Sequence, residues 1–335
     1  MSVDPPKDFD LAVVVGKFLP PHRGHQHLIE TACRRSERVE VIVCWQKSDP
    51  IPGDRRGAWL RELCPEAHVR VIDDHYDAED SELWARLTIG WLGRAPDVVF
   101  TSEDYGPGYA AAMGCAHVSV DRARLAVPCS GTAVRADPYA LWDFIGAPVR
   151  GWYAKRVCVL GAESTGTTTL AEALAAHFHT TWVPEYGREY SAEKQARGDD
   201  VWRTEEFAAI AQEQNRREEK GARAANRVVI CDTDSFATNL WHRRYVGGTN
   251  AEVARLAAER RCDLYLLTGD EIPFVQDGLR DGEHIRHEMH LWFEQALAGQ
   301  ATPWLLLRGP HAARLAEAAT AVRKLFAGSA WQPAP

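Results

Sequence analysis

Gly161-Ala-Glu-Ser-Thr-Gly-Thr-Thr-Thr-Leu170 lies near the midpoint of a 335-residue chain, between two segments of different periodicity. Arg156 to Leu160 (RVCVL) precedes it and reads as a buried strand, and Leu170 to Phe178 (LAEALAAHF) follows and reads as a helix. Strand, glycine turn and helix make the setting of a P-loop, where backbone N–H groups and a helix N-terminus converge on phosphate oxygens. Against the pattern GxxxxGK[ST], Gly161, Gly166 and Thr168 fit, whereas Thr167 stands where the lysine belongs. Glu163, Ser164, Thr165 and Thr169 fill the rest of the expected ATP cradle. Such a turn alone also suits an ordinary strand-to-helix connection. The nucleotide reading is selected further on, where Arg227 to Ile230 (RVVI) reads as a second buried strand ending in Cys231-Asp232-Thr233-Asp234. Carboxylates at a strand's C-terminal end, with Thr168, are where a P-loop enzyme holds Mg²⁺, so Thr168, Asp232 and Asp234 are the expected metal ligands.

Working towards the N-terminus, Leu11 to Val15 (LAVVV) is a buried strand that runs into Gly16-Lys-Phe-Leu-Pro-Pro-His-Arg-Gly-His25. Leu28, Ile29 and Ala32 then recur at helical spacing. Strands at Val39 to Trp45, Val69 to Asp73, Asp97 to Thr101 and His117 to Val120 alternate with helices at Asp54 to Leu63 and Ser81 to Leu92. Alternation of this kind implies a parallel sheet wound with helices, with its ligand at the strands' C-terminal ends. At that position Lys17, His22, Arg23 and His25 crowd donors beside a helix start, the equipment of adenylyl transfer by in-line attack on an α-phosphate. Gly16, Phe18 and Gly24 shape the loop around ATP. Ser130-Gly-Thr-Ala-Val-Arg135 supplies a second jaw: Ser130 and Thr132 cap a helix and bond phosphate, and Arg135 reaches the triphosphate one turn on.

Composition is that of an ordinary globular protein, 45% apolar and 26% charged, and the length allows two cores. A net charge of −8 argues against a general nucleic-acid surface. No run of 18 apolar residues occurs and the N-terminal MSVDPPKDFD lacks signal character, so a cytoplasmic location without membrane association is expected. The eight cysteines are scattered without a CxxC pair and read as small buried hydrophobes. His284, His287 and His290 recur every third residue, but without HExxH they read as a solvated helix face. Residues 1 to 9 and the tail from Gly328 read as unstructured.

These motifs together resemble the NadR-type bifunctional proteins, which join a nicotinamide-nucleotide adenylyltransferase to a ribosylnicotinamide kinase. The resemblance spans about residues 10 to 327: GKFLPPHRGH matches the family's GKFxPxHxGH, SGTAVR its SxTxxR, and GAESTGTTTL, Glu185-Tyr-Gly-Arg-Glu189 and Asp232-Thr233-Asp234 follow in the family's order. It implies two parallel-sheet α/β domains: an HxGH nucleotidyltransferase Rossmann-like domain over 10–150 and a P-loop kinase-like domain over 154–328. His22 and His25 then hold ATP phosphates with Lys17 assisting, while Ser130, Thr132 and Arg135 close over them. Nicotinamide mononucleotide attacks, giving NAD and pyrophosphate, and Trp45, Trp59, Trp84 and Trp91 are the candidates for stacking on its pyridinium ring.

In the second half Arg188, Tyr245, Asp234 and Arg280 are the expected contacts for nicotinamide riboside and the transferring phosphate. Asp232 or Glu185 takes the proton from the ribose hydroxyl. Arg280 sits in Gln276-Asp-Gly-Leu-Arg-Asp-Gly282, a segment placed like a kinase lid. Mg²⁺ and ATP are the implied cofactor and co-substrate, and association into a homo-oligomer is open. Some members of the family carry an N-terminal helix-turn-helix domain that represses transcription. This sequence starts at the first transferase strand, so no DNA binding is expected. Thr167 leaves open two alternatives: Arg188 or Arg280 replaces the lysine charge, or the second half only senses nucleotide beside an active transferase. Another acceptor for the HxGH half remains a third possibility.

Overall fold

A computed structural model describes residues 7–77 and 80–332, and the chain divides into two compact units with the break at Val149/Arg150. The first unit alternates strand and helix: β1 (Phe9–Gly16), α1 (Arg23–Arg35), β2 (Ser36–Trp45), α2 (Gly53–Leu63), β3 (His68–Asp73), α3 (Ser81–Leu92), β4 (Val98–Thr101), α4 (Gly106–Met113), β5 (Ala116–Ser119) and α5 (Gly131–Ala136), with α6 (Ala147–Tyr153) spanning the break. All pairings in its five-stranded sheet are parallel, in the order β3-β2-β1-β4-β5. The order reverses direction between β1 and β4, and the crevice at the C-terminal ends of those strands is where ligands bind in open α/β sheets. Successive residues of β1 serve opposite faces: Ala12 and Val14 pack with Ile29 of α1, whereas Val13 packs with Trp84 of α3.

The second unit contains β6 (Lys155–Leu160), α7 (Thr167–His177), β7 (Trp182–Val183), α8 (Tyr186–Ala196), α9 (Thr204–Ala224), β8 (Val228–Asp232), α10 (Ser235–Tyr245), α11 (Ala251–Glu259), β9 (Leu264–Thr268), α12 (Arg286–Ala298), β10 (Trp304–Leu307) and α13 (His311–Lys324). Its sheet is also parallel, ordered β10-β9-β6-β8-β7. The glycine loop therefore leaves the central strand and the Asp232 turn leaves its immediate neighbour. Continuous apolar burial of β6, β8 and β9 explains why those strands read as unbroken hydrophobic runs.

Several expectations are corrected. Phe9 is already strand, and Asp8 pairs with Arg35, so the unstructured lead does not extend to residue 9; residues 1–6 lie outside the described set. At the other end Trp331 packs edge-on against Phe326 at 5.0 Å and lies under Arg227, which ties the tail down through that point; residues 333–335 lie outside the described set. His290 faces the interior at 1% exposure instead of a solvated face. Among the described residues no His/Cys/Asp/Glu group is placed to hold a metal by itself, and no helix is long and apolar enough to cross a membrane. All eight cysteines are free.

Candidate active sites

In the first unit the loop after Gly16 turns through Phe18, which is buried with φ +46°, and ends at His22, the N-cap of α1. Gly24 N–H donates to His22 Nδ1 at 3.1 Å, and His22 N–H donates to His25 Nδ1 at 3.3 Å. Because each Nδ1 accepts from the backbone, each ring carries its proton on Nε2. The rings stack at 3.8 Å. Burial, and then Arg124, lowers His22 to about 4; burial, His22 and Arg124 hold His25 well below its ordinary value. Both imidazoles are therefore neutral donors at pH 7, and positive charge must come from other side chains.

Those side chains line the same cavity, about 560 Å³ in volume: Lys17 at the end of β1, Arg135 from α5 and Arg124 from the preceding loop. Ser130 caps α5 by accepting from Ala133 N–H at 3.1 Å, and Arg135 donates to Leu19 O and, at 3.2 Å, to Thr132 Oγ1. The two jaws thus meet through Leu19. Gly131 is required there, since a Cβ would fall 2.8 Å from Leu19 O. Arg23 points away from this arrangement, donating to Asp143 O at 2.6 Å. Of the four tryptophans only Trp84 lines the cavity, while Trp59 is core at 4% exposure.

Arg56, Asp49, Asp121 and Arg124 escape a reading of the sequence. Arg56 is completely buried, pairs with Asp49 at 2.7 Å, and donates to Cys44 O at 3.2 Å and to Lys17 O. It fixes the backbone of the phosphate loop from below. Asp121 accepts from Leu125, Ala126 and Val127 N–H at 2.8, 3.0 and 2.9 Å, shaping the turn that carries Arg124 towards Ser130. No short motif marks any of these, because each acts on residues distant in sequence or through backbone groups.

In the second unit the loop from Gly161 to Thr168 has positive φ at Ser164 (+60°) and Gly166 (+85°). Gly161 has no room for a side chain: a Cβ would lie 2.3 Å from Thr268 Oγ1. Thr165 is consumed internally, donating to Ala162 O at 2.7 Å and accepting from Thr268 at 2.7 Å. Glu163 lines the cavity and accepts from Arg244 of α10 and from Gly282 N–H of the 275–282 segment, each at 2.7 Å. Thr169 is exposed and absent from the cavity wall. Thr168 Oγ1 donates to Asp232 Oδ2 at 2.5 Å, and Asp232 Oδ1 is buried with no protein partner.

Asp234 does not join Asp232. It is fully buried, caps α10 by accepting from Ala237 N–H at 2.9 Å, and pairs with the buried Arg260. The expectation that it holds metal or substrate is corrected: its charge is already spent. Glu185 does line the cavity, and its withdrawal from solvent, followed by repulsion from Asp232, pushes it up to about 8. Arg188 and Arg280 stand on the same wall. The cavity also has an aromatic wall in which Tyr245 stacks with Trp202 at 5.1 Å and Trp241 at 6.4 Å. Tyr245 was expected there. Trp202 and Trp241 were not, since tryptophan spacing alone carries no signal of convergence.

A family model described as an AAA domain matches residues 156–314. The "Trifunctional NAD biosynthesis/regulator protein NadR" of Escherichia coli is 28% identical over 292 residues, covering 81% of this chain and 71% of that protein. Its Salmonella typhimurium counterpart of the same name is 28% identical over 298 residues, 82% and 73% of the two chains. A crystal structure of NadR protein in complex with NR superposes with TM-score 0.78 at 21% identity, over 99% of this chain and 100% of that one. Another, in complex with NAD and AMP-PNP, gives 0.76 at 22%, again over 99% and 100%. Fold and loops define a protein of two parallel-sheet α/β units, the first Rossmann-like with an HxGH loop after its first strand and the second with an AAA-type P-loop. The chain is similar to the NadR proteins in sequence over about four fifths of its length and in fold over nearly all of it.

Proposed function

We propose that this chain works in NAD biosynthesis and salvage, phosphorylating nicotinamide riboside in its second unit and adenylylating nicotinamide mononucleotide in its first, with ATP as donor in both steps. The observation that carries the proposal is the second cavity, which is lined together by an aromatic group, the P-loop and the Glu185 carboxylate. A flat cationic ring suits Trp202, Trp241 and Tyr245, a ribose hydroxyl suits Glu185, and a triphosphate suits the loop. In the kinase step the ribose 5′-oxygen forms a bond to the γ-phosphorus, the bond to the β,γ-bridging oxygen breaks, and ADP leaves. Glu185, pushed up to about 8, takes the hydroxyl proton in its ionised form, so riboside phosphorylation should rise as pH approaches 8, while Asp232 is committed to Thr168 and the metal.

Mg²⁺ fits the residues present. Asp232 Oδ1 is a buried anionic oxygen lacking a partner, and Thr168 Oγ1 stands beside the same carboxylate. These two would hold the ion, which when bound neutralises charge on the β- and γ-phosphates.

In the transferase step a phosphate oxygen of the mononucleotide forms a bond to the α-phosphorus of ATP, and the bond to the α,β-bridging oxygen breaks, releasing pyrophosphate. His22 and His25 donate from Nε2 to phosphate oxygens, while Lys17, Arg124 and Arg135 offset the charge that develops. Of the four candidate tryptophans, Trp84 is the one on this cavity wall and so the one assigned to the nicotinamide ring.

Thr167 favours one alternative, a second unit that binds nucleotide without transferring phosphate. Purified protein with ATP and Mg²⁺, given the mononucleotide and the riboside separately, decides the matter by chromatography of products. NAD from both substrates supports two activities. NAD from the mononucleotide alone leaves the second unit a binding module, and NAD from neither assigns the first unit another acceptor.

A further inference from the structure

Thr167 leaves the P-loop without the cation that normally meets the β- and γ-phosphates. Five guanidiniums approach the loop, and their geometry separates them: Arg244 is held between two carboxylates, Glu163 and Asp281. Arg286 and Arg314, 9% and 3% exposed, donate to the carbonyls of Ser164 at 3.0 Å and Thr165 at 2.8 Å. They grip the loop through its carbonyl groups, away from the N–H groups that meet phosphate. Arg188 belongs to the acceptor side, where its charge acts on Glu185 and Asp232.

Arg280 remains. Its Nη1 lies 3.4 Å from Ser164 Oγ within the loop, and its side chain, 25% exposed, lines the cavity. The segment that carries it is fastened to the loop on either side: Val275 N–H donates to Ser164 Oγ at 2.8 Å, Gly282 N–H donates to Glu163 at 2.7 Å, and Arg244 bridges Glu163 and Asp281. Asp277 is the ion-pair partner of Arg280, at 3.3 Å, and it is shared with Arg188. Asp277 is thus divided between two guanidiniums and does not serve Arg280 alone.

We propose that Arg280 supplies the positive charge that a P-loop lysine provides in other nucleotide sites, so that the cation reaches the phosphates from the 275–282 segment and not from the loop itself. The role rests on the kinase reading above.

A substitution cycle tests it. Arg280→Ala should lower riboside phosphorylation by about 10² to 10³-fold, the loss usual for one charged contact to the transition state. Thr167→Lys combined with Arg280→Ala should regain at least about tenfold. Arg280→Lys, which keeps the charge, should retain more activity than Arg280→Gln, which keeps polarity alone. Turnover by Arg280→Ala near the wild-type rate, or a double variant no better than Arg280→Ala, overturns the proposal.

Calorimetric affinity for ATP and for ADP in Mg²⁺, measured on the same proteins, separates this failure from failure of the kinase reading. Loss of ATP affinity in Arg280→Ala with recovery in the double variant, in a protein that phosphorylates no riboside, sinks the kinase reading and supports Arg280. Riboside turnover that is present but indifferent to Arg280 does the reverse. ATP affinity that ignores every substitution in a protein without turnover overturns the role of Arg280 as well.

Discussion

Asp49→Ala should unhinge the transferase loop without touching a residue that faces its cavity with charge for phosphate. Arg56 is 0% exposed and Asp49 only 10%, and the pair closes at 2.7 Å. Removing one member of a buried ion pair strands the other and costs about 3 to 5 kcal/mol. Arg56 keeps two carbonyl acceptors, Lys17 O and Cys44 O, so the lower end, about 3 kcal/mol, is expected. For a unit of this size that corresponds to a fall of roughly 10 °C in Tm. The double variant Asp49→Ala/Arg56→Met replaces the pair with apolar groups, an exchange that is often neutral, so it should recover most of the lost stability. It should not recover adenylylation, because Lys17 O has lost its donor and the loop its fixed position. Thermal unfolding followed by tryptophan fluorescence, with NAD formation from the mononucleotide on the same samples, reads both effects. An Asp49→Ala protein that melts with the wild type, or a double variant with full adenylylation, refutes the idea that this buried pair positions the loop.

Adenylylation should show no acid limb from His22 between pH 6 and 8, because burial and Arg124 lower that imidazole to about 4. Its folded value lies below the unfolded 6.5, so its contribution to stability is complete above pH 6.5 and lost as pH falls towards 4; a break in rate near 6.5 that His22→Asn abolishes contradicts the neutral-donor assignment. Asp232→Asn should remove the magnesium dependence of ATP binding together with riboside phosphorylation, and undiminished Mg²⁺ dependence in calorimetry counts against Asp232 Oδ1 as a ligand. Trp241→Ala should raise the KM for the riboside about tenfold, the order of one desolvated cation–π contact, while adenylylation is unchanged. An equal loss in both activities points to a general folding defect instead.

Much of this was legible in the sequence because the relevant chemistry is packed into short segments. GKFLPPHRGH and SGTAVR each carry their own turn, cap and donors, and the apolar run before the first is strand β1. Asp234 shows where local reading fails. Two residues apart on a continuing strand, Asp232 and Asp234 would share a face. The strand ends at Asp232, Thr233 turns at φ +66°, and Asp234 becomes a helix cap locked to Arg260. His290 fails for a related reason, since spacing of three does not say which side of α12 meets the core. The aromatic wall depends on α9, α10 and the turn before α9 coming together, and no local pattern encodes that convergence.

The missing lysine and the 275–282 segment are better understood as one arrangement than as a defect and a loop. A lysine in the P-loop delivers its charge from the same backbone that binds the phosphates, so the charge is present whatever the neighbouring segment does. Here Thr167 shares the Asp232 side of the site with Thr168. Arg280 sits on a segment held to the loop by Glu163 and Ser164. Glu163, a motif residue on the cavity wall, also holds Arg244 and Gly282. Phosphate charge and segment position become coupled: anything that releases Glu163 withdraws the cation as well as opening the cavity. A turn with no phosphate to bind would gain nothing from burying two guanidiniums against its carbonyls and holding a third at its mouth, since desolvated charge is costly where it serves only packing.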